Sequence, residues 1–171
     1  LKYIFDEYLA QQGAGSSGII SSIDTFDGKQ RFESHLTTPE PLDLERHFAN
    51  AVDCGMQYLT MEVSSQALKY DRVRNVAFAA AVFLNISPDH ISPIEHPDFE
   101  DYFRSKLRIF AQTAAACVNL DSDRAGDVLD AASRNCPRII TFSQRDPSAT
   151  VYGHQVRKAG GDILFRVKTP R

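Results

Sequence analysis

The chain has 171 residues, 43% of them apolar and 24% charged, with 19 Lys and Arg against 22 Asp and Glu for a formal charge of -3. At roughly 150 residues per domain this is one folded domain, which excludes a multidomain machine, a disordered chain and a fibrous repeat. No global basic field exists to hold a phosphate backbone, so nucleic acid is not an expected partner.

Residues 1–12 read as a helix with Leu1, Ile4, Phe5, Tyr8 and Leu9 on one face, ended by Gly13, Gly15, Ser16 and Ser17. The chain opens without Met in what reads as mid-helix, so an upstream portion is expected to be missing. Residues 18–22 form a short strand, and residues 24–36 contain Asp27-Gly28, a strong hairpin dipeptide. A second helix is predicted over residues 41–53, with Leu44, Phe48 and Val52 at i, i+4, i+8 and Gly55 just past its end. Strands follow at residues 58–63, 77–84 and 114–118, the last two apolar throughout, as expected for strands covered on both faces. A helix over residues 99–110 separates them. Residues 124–134 read as helix, residues 138–142 as strand, and residues 150–156 and 163–167 flank Gly160-Gly161 as a terminal hairpin. Repeated strand and helix units make this an α/β fold with a mostly parallel sheet and right-handed crossovers.

Three cysteines, Cys54, Cys117 and Cys136, are an odd number at wide spacing; they read as free thiols, the last two buried, in a reducing, cytoplasmic compartment. No apolar run approaches the roughly 18 residues of a membrane span. Residues 1–10 carry Lys2, Asp6 and Glu7, which is wrong for a signal peptide.

Four segments look chemical. Lys106 lies inside the stripe Phe99, Tyr102, Phe103, Leu107 and Phe110, so it either points inward or snorkels from the edge of the stripe. The run Asn85-Ile86-Ser87-Pro88-Asp89-His90 follows an apolar strand, where open parallel sheets place phosphate and metal ligands; a polar turn around Pro88 explains it equally. Glu62 interrupts a strand end, as a carboxylate does when it holds Mg2+ near nucleotide phosphates or pairs with a basic neighbour. Thr37 and Thr38 precede the second helix, either as N-cap residues or as part of an anion site at its free amides. Singly each has an ordinary structural explanation; an inward lysine and two ligand-bearing strand ends together argue for a site.

In order along the chain stand LTTPEPLDL at residues 36–44, MEVSSQAL at 61–68, FLNISPDH at 83–90 and YFRSKLRIF at 102–110, then Asn119, Asp121 and Asp123 in an Asn-x-Asp-x-Asp turn. This series resembles the central, ATP-binding domain of the Mur ligases, in the branch that adds the third stem-peptide residue of peptidoglycan, over nearly the whole chain. The resemblance implies a P-loop-NTPase-like fold and an ATP-dependent ligase joining a free amino acid to UDP-N-acetylmuramyl-dipeptide through an acyl phosphate. It implies that Thr37, Thr38, Ser64 and Arg72 contact the UDP-muramyl substrate and that Asn85 sits near the ATP phosphates. Glu62 and His90 would ligate Mg2+, joined by Lys106 as a carbamate.

The chain departs from the family at Gln66, Pro88 and Ser92, where His, Arg and Asp are usual, so Gln66 and residues 92–96 are not carried over as site residues. No G-x-x-x-x-G-K-[ST] occurs, so the loop that cradles the β and γ phosphates is absent from these residues. The expectation is a piece of the central domain that lacks the carboxy-terminal domain and does not ligate by itself. Two other readings remain: another amide ligase of the superfamily, of folylpolyglutamate or cyanophycin synthetase type, and a noncatalytic nucleotide-sugar-binding or scaffold domain.

Overall fold

The computed structural model describes residues 1–89 and 91–170. Its contacts divide the chain into two compact units, Leu1–Val73 and Arg74–Arg171.

The first unit runs α1 (Lys2–Gln11), β1 (Gly18–Ile20), β2 (Asp24–Phe26), β3 (Arg31–Glu33), α2 (Pro41–Asp53), β4 (Leu59–Met61) and α3 (Ser65–Lys69). The sheet order is β3-β2-β1-β4, with β1 parallel to β4 and the other two pairings antiparallel. Asp27-Gly28 makes the expected hairpin: Asp27 Oδ1 accepts from the N–H groups of Lys29 and Gln30, and Gly28 takes φ +94°. Pro41 opens α2, where its missing N–H costs no helical bond.

The buried face of α2 is Leu44, His47 and Ala51; Val52 stands open and Phe48 is half-buried. The expected Leu44, Phe48, Val52 stripe is therefore turned, because His47 finds a buried carboxylate partner in Asp27. The face predicted for α1 is also corrected. Leu9 is buried and Phe5 stacks on Tyr58 at 4.7 Å, but Leu1, Ile4 and Tyr8 are exposed. Instead α1 turns Lys2 and Asp6 inward, and Asp6 Oδ1 accepts from the N–H and hydroxyl of buried Ser17.

The second unit runs β5 (Phe78–Phe83), α4 (Phe99–Leu107), a 3-10 segment (Arg108–Gln112), β6 (Thr113–Asn119), α5 (Ala125–Asn135), β7 (Arg138–Ser143), β8 (Val151–Ala159) and β9 (Asp162–Lys168). Strands β5 to β8 are parallel neighbours in chain order and β9 returns antiparallel to β8 as the expected hairpin. Asp98 caps α4 by accepting from the Asp101 N–H at 2.8 Å. The predicted helix over residues 99–110 ends at Leu107 and tightens into the 3-10 segment, which carries fully buried Phe110.

The core of this unit joins Phe83, Ile86, Tyr102, Phe103, Phe110, Val118 and Val128. Each large apolar side chain fully buried there contributes about 1.5–3 kcal/mol. Only one face of β5 is so covered. Phe83 and Ala81 are buried while Ala80 and Val82, on the opposite face, are exposed, so an apolar run is not by itself a sign of double coverage. Of the thiols, Cys136 is buried, Cys117 half-buried and Cys54 exposed; all three are free, and Cys117 falls short of the burial expected.

Candidate functional site

In the first unit the motif residues converge on Thr38. This side chain is 1% exposed, and it is not the N-cap of α2, a place taken by the backbone of Glu40. Its hydroxyl donates to the Glu62 carbonyl at 3.0 Å and accepts from the Ser64 N–H at 3.0 Å. The Arg72 guanidinium donates to the Thr38 carbonyl at 3.4 Å and pairs with Glu40 at 2.9 Å. Ser64 Oγ accepts from the Ala67 N–H at 3.1 Å and so starts α3. Thus Thr38, Ser64 and Arg72, up to 34 positions apart, are drawn to one hydrogen-bonded node, with half-buried Thr37 beside it.

Glu62 follows β4 directly, and its backbone N–H extends the parallel pairing by donating to the Ile20 carbonyl at 2.8 Å. Its exposed side chain accepts from the Ser22 N–H through Oε2 at 2.8 Å. A carboxylate that is open to solvent and held by one backbone donor retains acceptor capacity for a cation. Glu40 was not singled out from sequence; its place between Pro39 and Pro41 in the LTTPEPLDL run was the available signal.

In the second unit the carboxyl ends of β5, β6 and β7 are tied together. Asn119 donates to the Leu84 carbonyl at 2.8 Å, and its Oδ1 accepts from the Asp121 N–H. Asp121 accepts from the Ser143 hydroxyl and the Gln144 N–H, each at 2.6 Å. The Gln144 and Ser143 hydrogen bonds hold the Asp121 carboxyl below its ordinary range. Exposed Asn85 stands one residue beyond Leu84 at this edge, the end of a parallel sheet at which ligands bind.

Lys106 is half-buried, with Nζ 5.1 Å from the Tyr102 ring centroid. Burial pushes its ammonium below the usual range and the Asp89 carboxylate opposes the shift. The metal assignment of His90 falls outside the described residues. Among the described residues no three His, Cys, Asp or Glu side chains cluster as a metal site, and no helix is long and apolar enough to cross a membrane.

Residues 2–170 match the family model of the Mur ligase middle domain. The chain is 45% identical over 170 residues to the UDP-N-acetylmuramoyl-L-alanyl-D-glutamate--L-lysine ligase of Enterococcus faecalis, covering 99% of the chain and 32% of that protein. It is 47% identical over 133 residues to the UDP-N-acetylmuramyl-tripeptide synthetase of Bifidobacterium longum, covering 77% of the chain and 26% of that protein. The chain therefore spans about a quarter to a third of the length of these curated relatives. Among solved structures it is similar to a UDP-N-acetylmuramoyl-L-alanyl-D-glutamate--2,6-diaminopimelate ligase, with TM-score 0.79, 21% identity and coverage of 98% of this chain and 34% of that one. It is also similar to MurF from Acinetobacter baumannii, with TM-score 0.64, 18% identity and coverage of 99% and 33%. At these identities the structural likeness is one of fold.

Proposed function

We propose, since the chain belongs to the Mur ligase middle-domain family, that it is part of an ATP-dependent ligase of peptidoglycan synthesis. That ligase adds an amino acid to UDP-N-acetylmuramyl-dipeptide in the cytoplasm. The substrate carboxylate takes the γ-phosphoryl group of ATP to give an acyl phosphate, and the incoming amine displaces phosphate to form the amide.

The observation that carries this reading is the Thr38 node. A fully buried threonine that bonds both the Glu62 carbonyl and the Ser64 N–H fixes the loop bearing Thr37 against the residues after β4. Arg72 is tied to the same loop and brings a guanidinium suited to carboxylate or phosphate. Thr37, Ser64 and Arg72 are assigned to the UDP-muramyl substrate, with buried Thr38 serving that site by holding the loop that presents Thr37, and Asn85 is assigned to the ATP phosphates.

For Mg2+ the donor chemistry fits residue by residue. Glu62 offers an exposed carboxylate, and Lys106, with its lowered pKa, is suited to take up CO2 as a carbamate and so present oxygens. Bound Mg2+ would neutralise charge on the transferring phosphoryl group. His90 is assigned to Mg2+ by the family motif.

The test is phosphate release by the full-length protein with ATP, Mg2+, UDP-N-acetylmuramyl-L-alanyl-D-glutamate and lysine or diaminopimelate. Release that requires both the nucleotide sugar and the amino acid is expected, with Thr38→Ala raising the KM for the nucleotide sugar roughly tenfold. Release that instead follows a folate acceptor, or no release with any acceptor, overturns the reading.

A further inference from the structure

Asp27, at the tip of the β2–β3 hairpin, and His47, two turns into α2, are the most completely enclosed ionisable pair of the first unit, 0% and 2% exposed. His47 Nδ1 donates to Asp27 Oδ2 at 2.7 Å, and Asn50 Nδ2 donates to the same oxygen at 2.8 Å. Oδ1 takes the N–H groups of Lys29 and Gln30 at 3.0 and 2.8 Å. All of this carboxylate's acceptor capacity on the described residues is thus turned to one purpose, closing the hairpin tip onto the middle of α2. The Phe32 ring, on β3, lies against the His47 ring at 5.7 Å and extends the same contact.

The position of this contact matters more than its strength. The loop of residues 34–40, which bears Thr37 and Thr38, leaves the end of β3 remote from the hairpin tip and enters the first turn of α2. From Pro41 to His47 the helix rises about 9 Å, and β3 from Arg31 to Glu33 covers about 7 Å, so the two arms are of comparable length. Hairpin, loop and helix form a triangle in which Asp27 and His47 close the corner opposite the loop. At the loop corner, Ser34 bonds Thr25 at 2.7 Å and Thr38 bonds the Glu62 carbonyl at 3.0 Å. Releasing the Asp27–His47 corner lets α2 shift against the hairpin, and residues 34–40, which join the two and run straight into Pro41, are displaced at their α2 end.

We infer that Asp27, His47 and Asn50 are positioning residues that hold the Thr37–Thr38 loop in the geometry that receives the UDP-muramyl substrate. They touch no substrate themselves and act through the angle between the hairpin and α2. The inference rests on the proposed ligase reading, because it supposes that this loop binds that substrate. A buried carboxylate with every partner satisfied fixes one arrangement of hairpin and helix, because any other arrangement would leave its charge without donors.

The experiment uses the full-length protein and titrates UDP-N-acetylmuramyl-L-alanyl-D-glutamate calorimetrically into wild type and variants, with kcat and the KM for each substrate measured in parallel. In His47→Leu the Kd and KM for the nucleotide sugar rise roughly fivefold or more, while kcat and the KM for ATP stay within about twofold. His47→Asn, whose amide keeps a donor where Nδ1 stood, returns both to near wild type. Asn50→Ala, which removes one of the two donors to Oδ2, shifts them in the same direction by less and serves if His47→Leu does not fold. Unchanged nucleotide-sugar affinity in folded His47→Leu, or in Asn50→Ala where that is the variant that folds, overturns the inference. So does a loss shared by kcat and every KM, which marks general damage to the fold. Wild-type protein that fails to bind the nucleotide sugar overturns the ligase reading itself, a result visible before any variant is made.

Discussion

Asp27 shows how a single side chain ties acid stability to the arrangement of two elements. Burial alone would raise its pKa, but hydrogen bonds from Asn50, His47, Gln30 and Lys29 outweigh that effect and hold it at about 2, against 3.8 for an ordinary Asp. The folded state therefore binds this proton more weakly than the unfolded chain does. Its contribution, about 2 kcal/mol, is complete above pH 4 or so and is lost as the pH falls toward 2. Asp6, held at about 2 by Lys2 and Ser17, titrates in the same window, so wild-type acid unfolding alone does not isolate Asp27. Asp27→Asn does. Urea unfolding at pH 7 should show the variant less stable by about 2 kcal/mol, and the gap should close as the pH approaches 2. A gap that stays constant with pH would mean that the hydrogen bonds do not favour the ionised form. The turn role of Asp27 is legible from Asp27-Gly28, but its pairing with His47 is not. A histidine one position away from an apolar stripe carries no mark of the carboxylate waiting 20 positions upstream.

At the scale of elements, those made by local chemistry were legible and those finished by partners were not. Pro41 at the first position and Gly55 past the end bracket α2 as predicted, and Asp27-Gly28 turns the hairpin. The orientation of α1 was misread because its apolar residues are spread round the helix. What selects the buried side is the Lys2, Asp6 and Ser17 cluster, a long-range polar contact. Coverage of β5 was misread because alanine and valine suit a strand whether or not both faces are packed. The hairpin turn itself gives a sharp test. Gly28 has φ +94°, and a Cβ built there would lie 2.7 Å from Cys54 Cβ and 2.9 Å from Cys54 Sγ. Gly28→Ala should therefore cost ~2–4 kcal/mol, part from the left-handed backbone and part from overpacking. Combining it with Cys54→Gly removes the packing part, so the two should be less than additive in urea unfolding. Strict additivity would show that the two positions do not meet.

Over the whole molecule, the family's motifs were legible because each is a contiguous run whose residue types are chemically unusual: an inward lysine, a carboxylate at a strand end, paired threonines before a helix. Their joining was not legible, since Thr38 meets Glu62 and Arg72 across 24 and 34 positions and nothing local announces either contact. The same contrast decides what these 171 residues can do by themselves. Thr37, Thr38, Ser64 and Arg72 are present and share one node, whereas no G-x-x-x-x-G-K-[ST] stands anywhere in the chain. Holding the β and γ phosphates takes a run of free backbone N–H groups and a lysine reaching the transferred phosphoryl group, and stabilising that group is most of the catalysis in phosphoryl transfer. This chain alone, given ATP, Mg2+, UDP-N-acetylmuramyl-dipeptide and an amino acid, should form no amide and release no phosphate above the rate without protein. Mass spectrometry of the nucleotide-sugar pool checks the first point and a phosphate assay the second. Any ATP-dependent tripeptide product would mean that donors within these residues grip the phosphates, and the candidates would then be the uncapped first turn of α2 and the strand ends around Asn85 rather than a glycine-rich loop.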